Sequence, residues 1–235
     1  MKKLISMIAL AGALIGAPAI AAEAGLPLDA APKQTSDLSA LQRGAKLFVN
    51  NCLNCHSASM VRYNRLKDIG LTDDQIRDNL LFSADKVGET MNVAMTAKDA
   101  KAWFGVQPPD LSVIARARGG DWLYTYLRSF YKDEARDTGW NNMVFPNVGM
   151  PHVLWELQGT QVMNHETHKL ELAVPGKMSP AEYDKAVSDL VGFMVWMGEP
   201  QQEYRKTLGI FVLAFLALLF VVAYALKKEY WKDIH

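Results

Sequence analysis

The chain has 235 residues but contains only two cysteines, and both lie in one short stretch, CLNCH at positions 52–56. Cys52 and Cys55 are three residues apart, so on a helical turn their thiols project to the same side. His56 follows directly and adds an imidazole, a nitrogen ligand that many metals accept. Sulfur and nitrogen at this spacing serve three kinds of site: a redox dithiol, half of a zinc site, and the attachment point of a c-type haem.

The zinc and dithiol interpretations both fit the rest of the chain poorly. A zinc site needs two further ligands, and the histidines that could supply them do not have the spacing of a zinc motif. These histidines are His152, His165 and His168. A thioredoxin-like dithiol is expected to follow a β-strand, whereas a helix is predicted to lead into CLNCH.

Covalent attachment of a haem uses every residue of the motif. Cys52 and Cys55 can add to the two vinyl groups of one porphyrin, and His56 can bind the iron from the proximal side. Both thiols are then consumed by thioether bonds. We therefore expect one covalently attached haem c, with His56 as a ligand of the metal.

A second axial ligand would close the iron to small molecules and suit it to electron transfer, and a methionine in that position raises the reduction potential. The methionines that follow the motif are Met60, Met91, Met95, Met143, Met150, Met163, Met178, Met194 and Met197. Met60 is too close to His56 to reach the opposite side of the ring. Met194 and Met197 lie in a predicted helix and are expected in the core.

Met150 is the methionine that we favour as the distal ligand. It lies in the loop NMVFPNVGMPHVLWELQG, whose prolines, glycines and asparagines allow an irregular path over a haem face. Met91 and Met95 fall between two predicted helices and stay open as alternatives. His152 is the rival that would make a bis-histidine haem.

The helix that presents the motif is predicted from SDLSALQRGAKLFVNNC. Its apolar residues recur at helical spacing; they are Leu38, Leu41, Ala45 and Phe48. Ser36 or Asp37 can cap its start, and we expect Asn50 and Asn51 to end it.

Further helices are predicted downstream, so the fold is expected to be mainly α. Capping residues predict starts at Thr72, Thr96 and Ser179. The clearest helix follows Pro180, carries an apolar stripe and ends at Gly198. Within residues 153–174, polar and apolar residues alternate in HKLELAV, which predicts a short β-hairpin insertion with His165 and His168 in an exposed turn near its tip.

Both ends of the chain predict contact with a membrane. Residues 1–21 have the basic start, apolar stretch and Ala-Ile-Ala site of a bacterial secretory signal peptide. Residues 204–227 contain a segment without charged residues, long enough to span the ~30 Å hydrocarbon core. We therefore expect an exported haem domain over 22–203, a transmembrane anchor over 204–227 and a cytoplasmic tail over 228–235. Lysine plus arginine balances aspartate plus glutamate at 25 each, so no nucleic-acid partner is expected.

Four segments resemble the cytochrome c1 family, the membrane-anchored haem subunits of ubiquinol–cytochrome c oxidoreductase. CLNCHSASMVRYNRL is similar to the family's haem motif and the turn after it. PPDLSVIARARGGDWLYTYLRSFY, at 108–131, resembles its Pro-Pro-Asp-Leu-Ser segment and following helix. FPNVGMPHVLWE resembles its axial-methionine loop, and FMVWMGEPQQEYRKTLG its last helix before the anchor. The segments occur in the family's order along nearly all of the exported region.

The resemblance implies a cytochrome c-like haem domain and assigns roles to residues. Cys52 and Cys55 would carry the haem, and His56 and Met150 would bind the iron. Arg118 would pair with a haem propionate, and two prolines would pack on the haem; these are Pro108 and Pro109.

The resemblance also implies a function and partners. The chain would be an electron carrier without substrate chemistry of its own, in the inner membrane with its haem domain in the periplasm. It would pass electrons from a Rieske iron–sulfur subunit to a soluble cytochrome c, beside a cytochrome b, in a dimeric complex. Two alternatives stay open: an anchored monohaem cytochrome that donates to an oxidase, and a haem sensor or peroxidase with an open iron site.

Overall fold

The computed structural model describes residues 26–93, 95–164 and 166–233. The predicted signal peptide and His165 lie outside the described residues. The α-helices are α1 Leu38–Leu47, α2 Asp73–Asn79, α3 Ala97–Phe104, α4 Ile114–Arg118, α5 Gly120–Arg128, α6 Trp155–Gln158, α7 Pro180–Gly198 and α8 Gln202–Tyr230. A π-helical turn, Phe48–Cys52, extends α1, and a 3-10 helix covers Tyr63–Ile69.

The strands pair into small antiparallel sheets of two strands each. They are β1 Ala58–Arg62 with β2 Thr90–Met91, β3 Phe130–Lys132 with β4 Trp140–Asn142, and β5 Gly159–Asn164 with β6 Lys169–Pro175. The pair β5–β6 is the predicted hairpin. Helices supply most of the regular structure, so the expectation of a mainly α fold with a short hairpin is confirmed.

The core forms where α1 crosses α7. Gly44 in α1 allows the close approach, because a Cβ at this position would lie 2.1 Å from the backbone oxygen of Asp189. The rings of Phe48 and Phe193 pack with centroids 5.5 Å apart across the same crossing. At the edge of the crossing, Arg43 forms a 2.6 Å ion pair with Asp189, whose side chain is 3% exposed. This crossing holds the motif-bearing end of α1 against the centre of the domain.

Local capping signals set the helix ends as predicted. Thr72 with Gln75 and Ser179 with Glu182 both form complete capping boxes. Thr96 caps α3, which ends at Gly105 with a positive φ of 74°. Each of these contacts spans only a few residues, so the sequence pattern was sufficient to locate them.

The prediction that Asn50 and Asn51 end the first helix is wrong. The helix continues through both residues as a π-turn that reaches Cys52. A π-turn leaves backbone carbonyls without their usual partners, and the two asparagine side chains take them. Asn50 donates to the Lys46 carbonyl at 2.7 Å, and Asn51 donates to the Leu47 carbonyl at 2.9 Å.

The last helix, α8, has the composition of a membrane span. It extends over 29 residues and contains an 18-residue window of mean hydropathy 2.8, none of which is buried in the protein. An apolar segment that is not buried within the protein fits the hydrocarbon interior of a bilayer. The predicted anchor at 204–227 lies within this helix.

Candidate haem site

A cavity of about 310 Å³ lies beside the end of α1, and all seven sequence-predicted site residues line it. They are Cys52, Cys55, His56, Pro108, Pro109, Arg118 and Met150. The lining comes from stretches that are far apart in sequence: the motif, residues 104–127, the loop at 145–153, and α7. Most of the other lining side chains are aliphatic or aromatic, so the cavity suits a flat apolar group with a few polar attachments.

The two cysteines sit on a tight turn at the end of the π-helical segment. The backbone nitrogens of Cys55 and His56 both donate to the Cys52 carbonyl, at 3.1 and 2.9 Å. Both cysteines are free thiols. Burial raises the pKa of Cys52 to about 12 and raises the pKa of Cys55 as well. A redox dithiol needs a thiolate with a lowered pKa, so this environment argues against that alternative.

His56 is oriented by a hydrogen bond from its ring to the backbone. Its Nδ1 lies 2.7 Å from the Pro109 carbonyl oxygen. A carbonyl only accepts, so Nδ1 carries the proton and the lone pair of Nε2 is left for a metal. Burial lowers the pKa of His56, although the bond to Pro109 and the charge of Asp110 oppose this effect. A neutral imidazole with one ring nitrogen held by a hydrogen bond is the usual form of a histidine that binds iron.

Two methionines line the cavity, Met150 and Met194. Met150 lies in the loop before α6, and its sulfur accepts a hydrogen bond of 3.3 Å from the Tyr126 hydroxyl. Met194 projects from α7 and is 4% exposed. Met91, one of the open alternatives, is fully buried in β2 and does not line the cavity.

His152 lies two residues beyond Met150 but faces a different part of the core. Its ring stacks on Phe130 with centroids 4.9 Å apart and meets Trp140 edge-on at 5.1 Å. Burial lowers the pKa of His152 to about 4. It is absent from the cavity lining, so the structure does not favour it as the rival ligand.

The two arginines of the ARARGG segment have different surroundings. Arg116 pairs with Glu199 at 3.3 Å, at the end of α7. Arg118 lines the cavity, and its guanidinium lies 5.2 Å from the ring centroid of Trp122. Within the described residues no carboxylate pairs with Arg118, so its charge is available to an acidic group bound in the cavity.

Sequence reasoning missed the contribution of α5 to the site. Trp122 and Tyr126 lie four residues apart on this helix, both line the cavity, and their rings stack at 4.8 Å and 11°. The (i, i+4) spacing of two aromatic residues was visible in GDWLYTYLR. The spacing alone does not show which side of the helix faces the cavity.

Zinc binding has no support in the described part of the chain. No group of three or more histidine, cysteine, aspartate or glutamate side chains is placed to hold a metal among residues 26–93, 95–164 and 166–233. The cavity offers two thiols, one oriented imidazole and the thioethers of two methionines. This donor set fits a c-type haem, which needs two sulfurs for attachment and ligands on two faces of the iron.

Comparison with known proteins agrees with the donor set. A sequence model described as the Cytochrome C1 family matches residues 29–234. Cytochrome c1 of Allochromatium vinosum is 49% identical over 248 aligned positions, which cover 100% of both chains. The chain belongs to the cytochrome c1 family.

Other relatives add context to this membership. A protein of Nitrosomonas europaea named "Ammonia monooxygenase gamma subunit" is 53% identical over 225 residues, 95% of this chain and 96% of that one. Its name differs from the family, but the family model covers most of the present chain and decides the membership. A solved structure described as "Hyperthermophilic respiratory Complex III" aligns over 100% of both chains with a TM-score of 0.48 and 17% identity, too distant to add to the sequence matches.

Membership in the cytochrome c1 family gives the protein its general role. It is the electron-transfer subunit of a bc1 complex and uses a c-type haem. Its C-terminal apolar helix is consistent with attachment to a membrane.

Proposed function

We propose that this member of the cytochrome c1 family carries one covalently attached haem in the cavity, bound through Cys52 and Cys55 and ligated by His56 and Met150. The observation that carries the proposal is that these residues and their supporting groups, from four separate stretches, line one cavity. When bound, the haem supplies reversible one-electron chemistry at its iron.

The residues of the chain orient the ligands from both sides of the cavity. The Pro109 carbonyl holds the proton on Nδ1 of His56 and keeps Nε2 as the coordinating atom. Tyr126 donates to the sulfur of Met150, which fixes the rotamer of a flexible side chain. Hydrogen bonds that restrict both ligands favour the same coordination in both oxidation states, and this keeps the reorganisation on electron transfer small.

The rest of the lining controls solvent and charge. Pro108 and Pro109 add rigid apolar surface beside the motif and exclude water from it. Arg118 supplies a guanidinium that pairs with no carboxylate in the described part of the chain and can bind one through two parallel hydrogen bonds. We therefore assign Arg118 to a haem propionate, and the two prolines to packing on the ring.

Family membership and the features of the sequence support the following proposal for the partners and the location. The subunit accepts one electron from a Rieske iron–sulfur protein and passes it to a soluble cytochrome c, beside a cytochrome b in a dimeric complex. Val106 and Phe145 are 56% and 45% exposed at the cavity and offer an apolar surface to an approaching partner. The haem domain, residues 22–203, lies on the periplasmic side of the inner membrane, and residues 228–235 form the cytoplasmic tail.

Replacing the two methionines of the cavity separately tests the distal ligand. Met150→Leu removes a sulfur ligand with little change in volume, and Met194→Leu is the matched control because it also lines the cavity. We expect a pyridine haemochrome spectrum of one covalently bound haem per chain in both variants. Met150→Leu should lower the reduction potential by more than about 60 mV, a tenfold change in the ferric-to-ferrous ratio.

Met194→Leu should leave the reduction potential close to that of the wild type. An unchanged potential in Met150→Leu, or a large loss in Met194→Leu, would remove Met150 from the ligand role. Haem that acidified organic solvent extracts from the protein would contradict covalent attachment. Ready binding of carbon monoxide by the reduced wild type would instead indicate an open iron site, the chemistry of a sensor or peroxidase.

A further inference from the structure

The stretch that follows the CLNCH motif is hydrogen-bonded to the stretch that begins with the two prolines. The Leu111 backbone nitrogen donates to the Ser57 carbonyl at 2.8 Å, and the Met60 nitrogen donates to the Ser112 hydroxyl at 3.1 Å. Between these two bonds lies Asp110, whose carboxylate accepts from Ser59. The two stretches thus run side by side, and the second contacts the His56 ring through the Pro109 carbonyl.

The Asp110 carboxylate accepts two of the hydrogen bonds that join these stretches. One carboxylate oxygen accepts from the Ser59 backbone nitrogen at 2.9 Å and from the Ser59 hydroxyl at 2.7 Å. The other oxygen accepts from the Ser112 nitrogen at 2.8 Å. One side chain therefore bridges the residues after the motif to the residues after the prolines.

The two prolines need support from neighbouring residues to keep their position. Pro108 and Pro109 have no backbone N–H, so neither can donate a hydrogen bond that would fix its position. The Pro109 carbonyl nevertheless has to stay 2.7 Å from Nδ1 of His56. Its placement depends on the next residue in the chain, and that residue is Asp110.

We propose that Asp110 is a positioning residue for the proximal ligand: its carboxylate ties Ser59 to Ser112 and so holds the Pro109 carbonyl on Nδ1 of His56. This inference rests on the proposed role of His56 as an iron ligand. A strong Nδ1–H···O=C bond makes the imidazole a better electron donor and stabilises the ferric state. Loosening the bridge should therefore raise the reduction potential.

The test uses the haem-loaded, full-length protein in detergent and compares three substitutions. Asp110→Ala removes the bridge and the charge, while Asp110→Glu keeps the charge but misplaces the carboxylate by one methylene. Ser59→Ala keeps the charge and removes one of the three bonds. If Asp110 acts by position, Asp110→Ala and Asp110→Glu should both lower the ferric-to-ferrous ratio at a fixed applied potential about threefold. This change corresponds to a rise of ~30 mV in the reduction potential for one electron. Ser59→Ala should cause a smaller change in the same direction.

A spectroscopic measurement separates ligand positioning from a general loss of stability. The low-spin ferric signal in electron paramagnetic resonance depends on the orientation of the axial ligands, so Asp110→Ala and Asp110→Glu should broaden or split its largest g value. Asp133→Asn is the control, because Asp133 also accepts a backbone and a side-chain hydrogen bond, at 3.0 and 2.8 Å, but does not line the cavity. It should change neither the potential nor the signal.

Each outcome decides the proposal. Wild-type potential and signal in Asp110→Glu would show that only the charge matters and would overturn it, as would an unchanged potential in every variant that carries covalent haem. If Asp110→Ala fails to accumulate, Asp110→Glu and Ser59→Ala give the decision. A wild-type protein without haem would refute the proposed function itself, and the two failures are therefore distinguishable.

Discussion

The substitution Gly44→Ala tests the packing on which the site depends. Gly44 lies where α1 meets α7, and an added Cβ would lie 2.1 Å from the Asp189 backbone oxygen and 2.7 Å from the Phe193 Cβ. Ordinary contacts between such atoms begin near 3.5 Å, so the helices would have to separate by about 1 Å or more. The nearest atom belongs to the backbone, so no side-chain rotation relieves the clash.

The size of the effect follows from two opposing contributions. Overpacking in a core costs about 1–3 kcal/mol and sometimes more, and separating the helices also weakens the Arg43–Asp189 ion pair. Alanine favours a helix over glycine by about 1 kcal/mol. Because the clash is with the backbone, we take about 3 kcal/mol for overpacking; subtracting about 1 kcal/mol for the helix preference leaves a net loss of ~2 kcal/mol in the free energy of unfolding. For a chain of this size that loss lowers the melting temperature by roughly 4–8 °C.

The measurement is thermal unfolding of the haem-loaded, full-length protein, followed by circular dichroism. Gly120→Ala is the matched control, because a Cβ there meets its nearest neighbour, a Val195 methyl, at an ordinary 3.5 Å. It should change the free energy of unfolding by less than about 0.5 kcal/mol. A Gly44→Ala protein that melts within about 2 °C of the wild type would refute the helix crossing described above.

Two further substitutions test groups that surround Met150. Tyr126→Phe removes the 3.3 Å hydrogen bond to the Met150 sulfur. The thioether that we propose as the iron ligand then becomes a stronger donor to ferric iron, and the reduction potential should fall by ~20–60 mV in spectroelectrochemistry. Burial lowers the pKa of His152 from the ordinary 6.5 to about 4. Between these two pH values the side chain stays neutral in the folded protein, whereas in the unfolded chain it takes up a proton. Stability should therefore decrease as the pH falls from 6.5 to 4, by at most ~3 kcal/mol, and His152→Phe should remove this decrease when melting temperatures are compared across that range.

Opposite results would be informative in both cases. A higher potential in Tyr126→Phe would mean that the hydroxyl does not act on the sulfur of Met150. An equally steep loss of stability in His152→Phe would assign the acid sensitivity to other groups. His168→Phe is the control for His152, because His168 is an exposed turn residue.

Much of the site could be predicted from the sequence because its chemistry is concentrated in one motif. Cys52, Cys55 and His56 are adjacent in the chain, and a single turn brings their side chains together whatever the rest of the fold does. The helix caps at Thr72, Thr96 and Ser179 are equally local. The composition of its loop favoured Met150 and resemblance to the family supported it, whereas Arg118 and the two prolines came from the resemblance alone.

The sequence alone was less reliable wherever a side chain could form more than one local hydrogen bond. Asn50 and Asn51 are common helix-ending residues, yet here their amides bind carbonyls of the preceding turn and let the helix continue to Cys52. Local preference could not distinguish the two outcomes. The packing of Phe48 against Phe193 holds this segment in the core and favours the continued helix.

By itself, the amino-acid sequence predicted a c-type haem, the CLNCH residues that we propose attach it, the helix starts and the apolar C-terminal helix, because each depends on neighbouring residues or on composition. The tertiary structure alone decided that Met150 and not His152 lines the cavity, that Arg118 meets no carboxylate among the described residues while Arg116 binds Glu199, and that Tyr126 donates to the methionine. These outcomes join residues that are distant in sequence. The sequence pattern constrains each residue only through its neighbours in the chain, whereas packing of the core sets the distances between residues that are far apart in sequence.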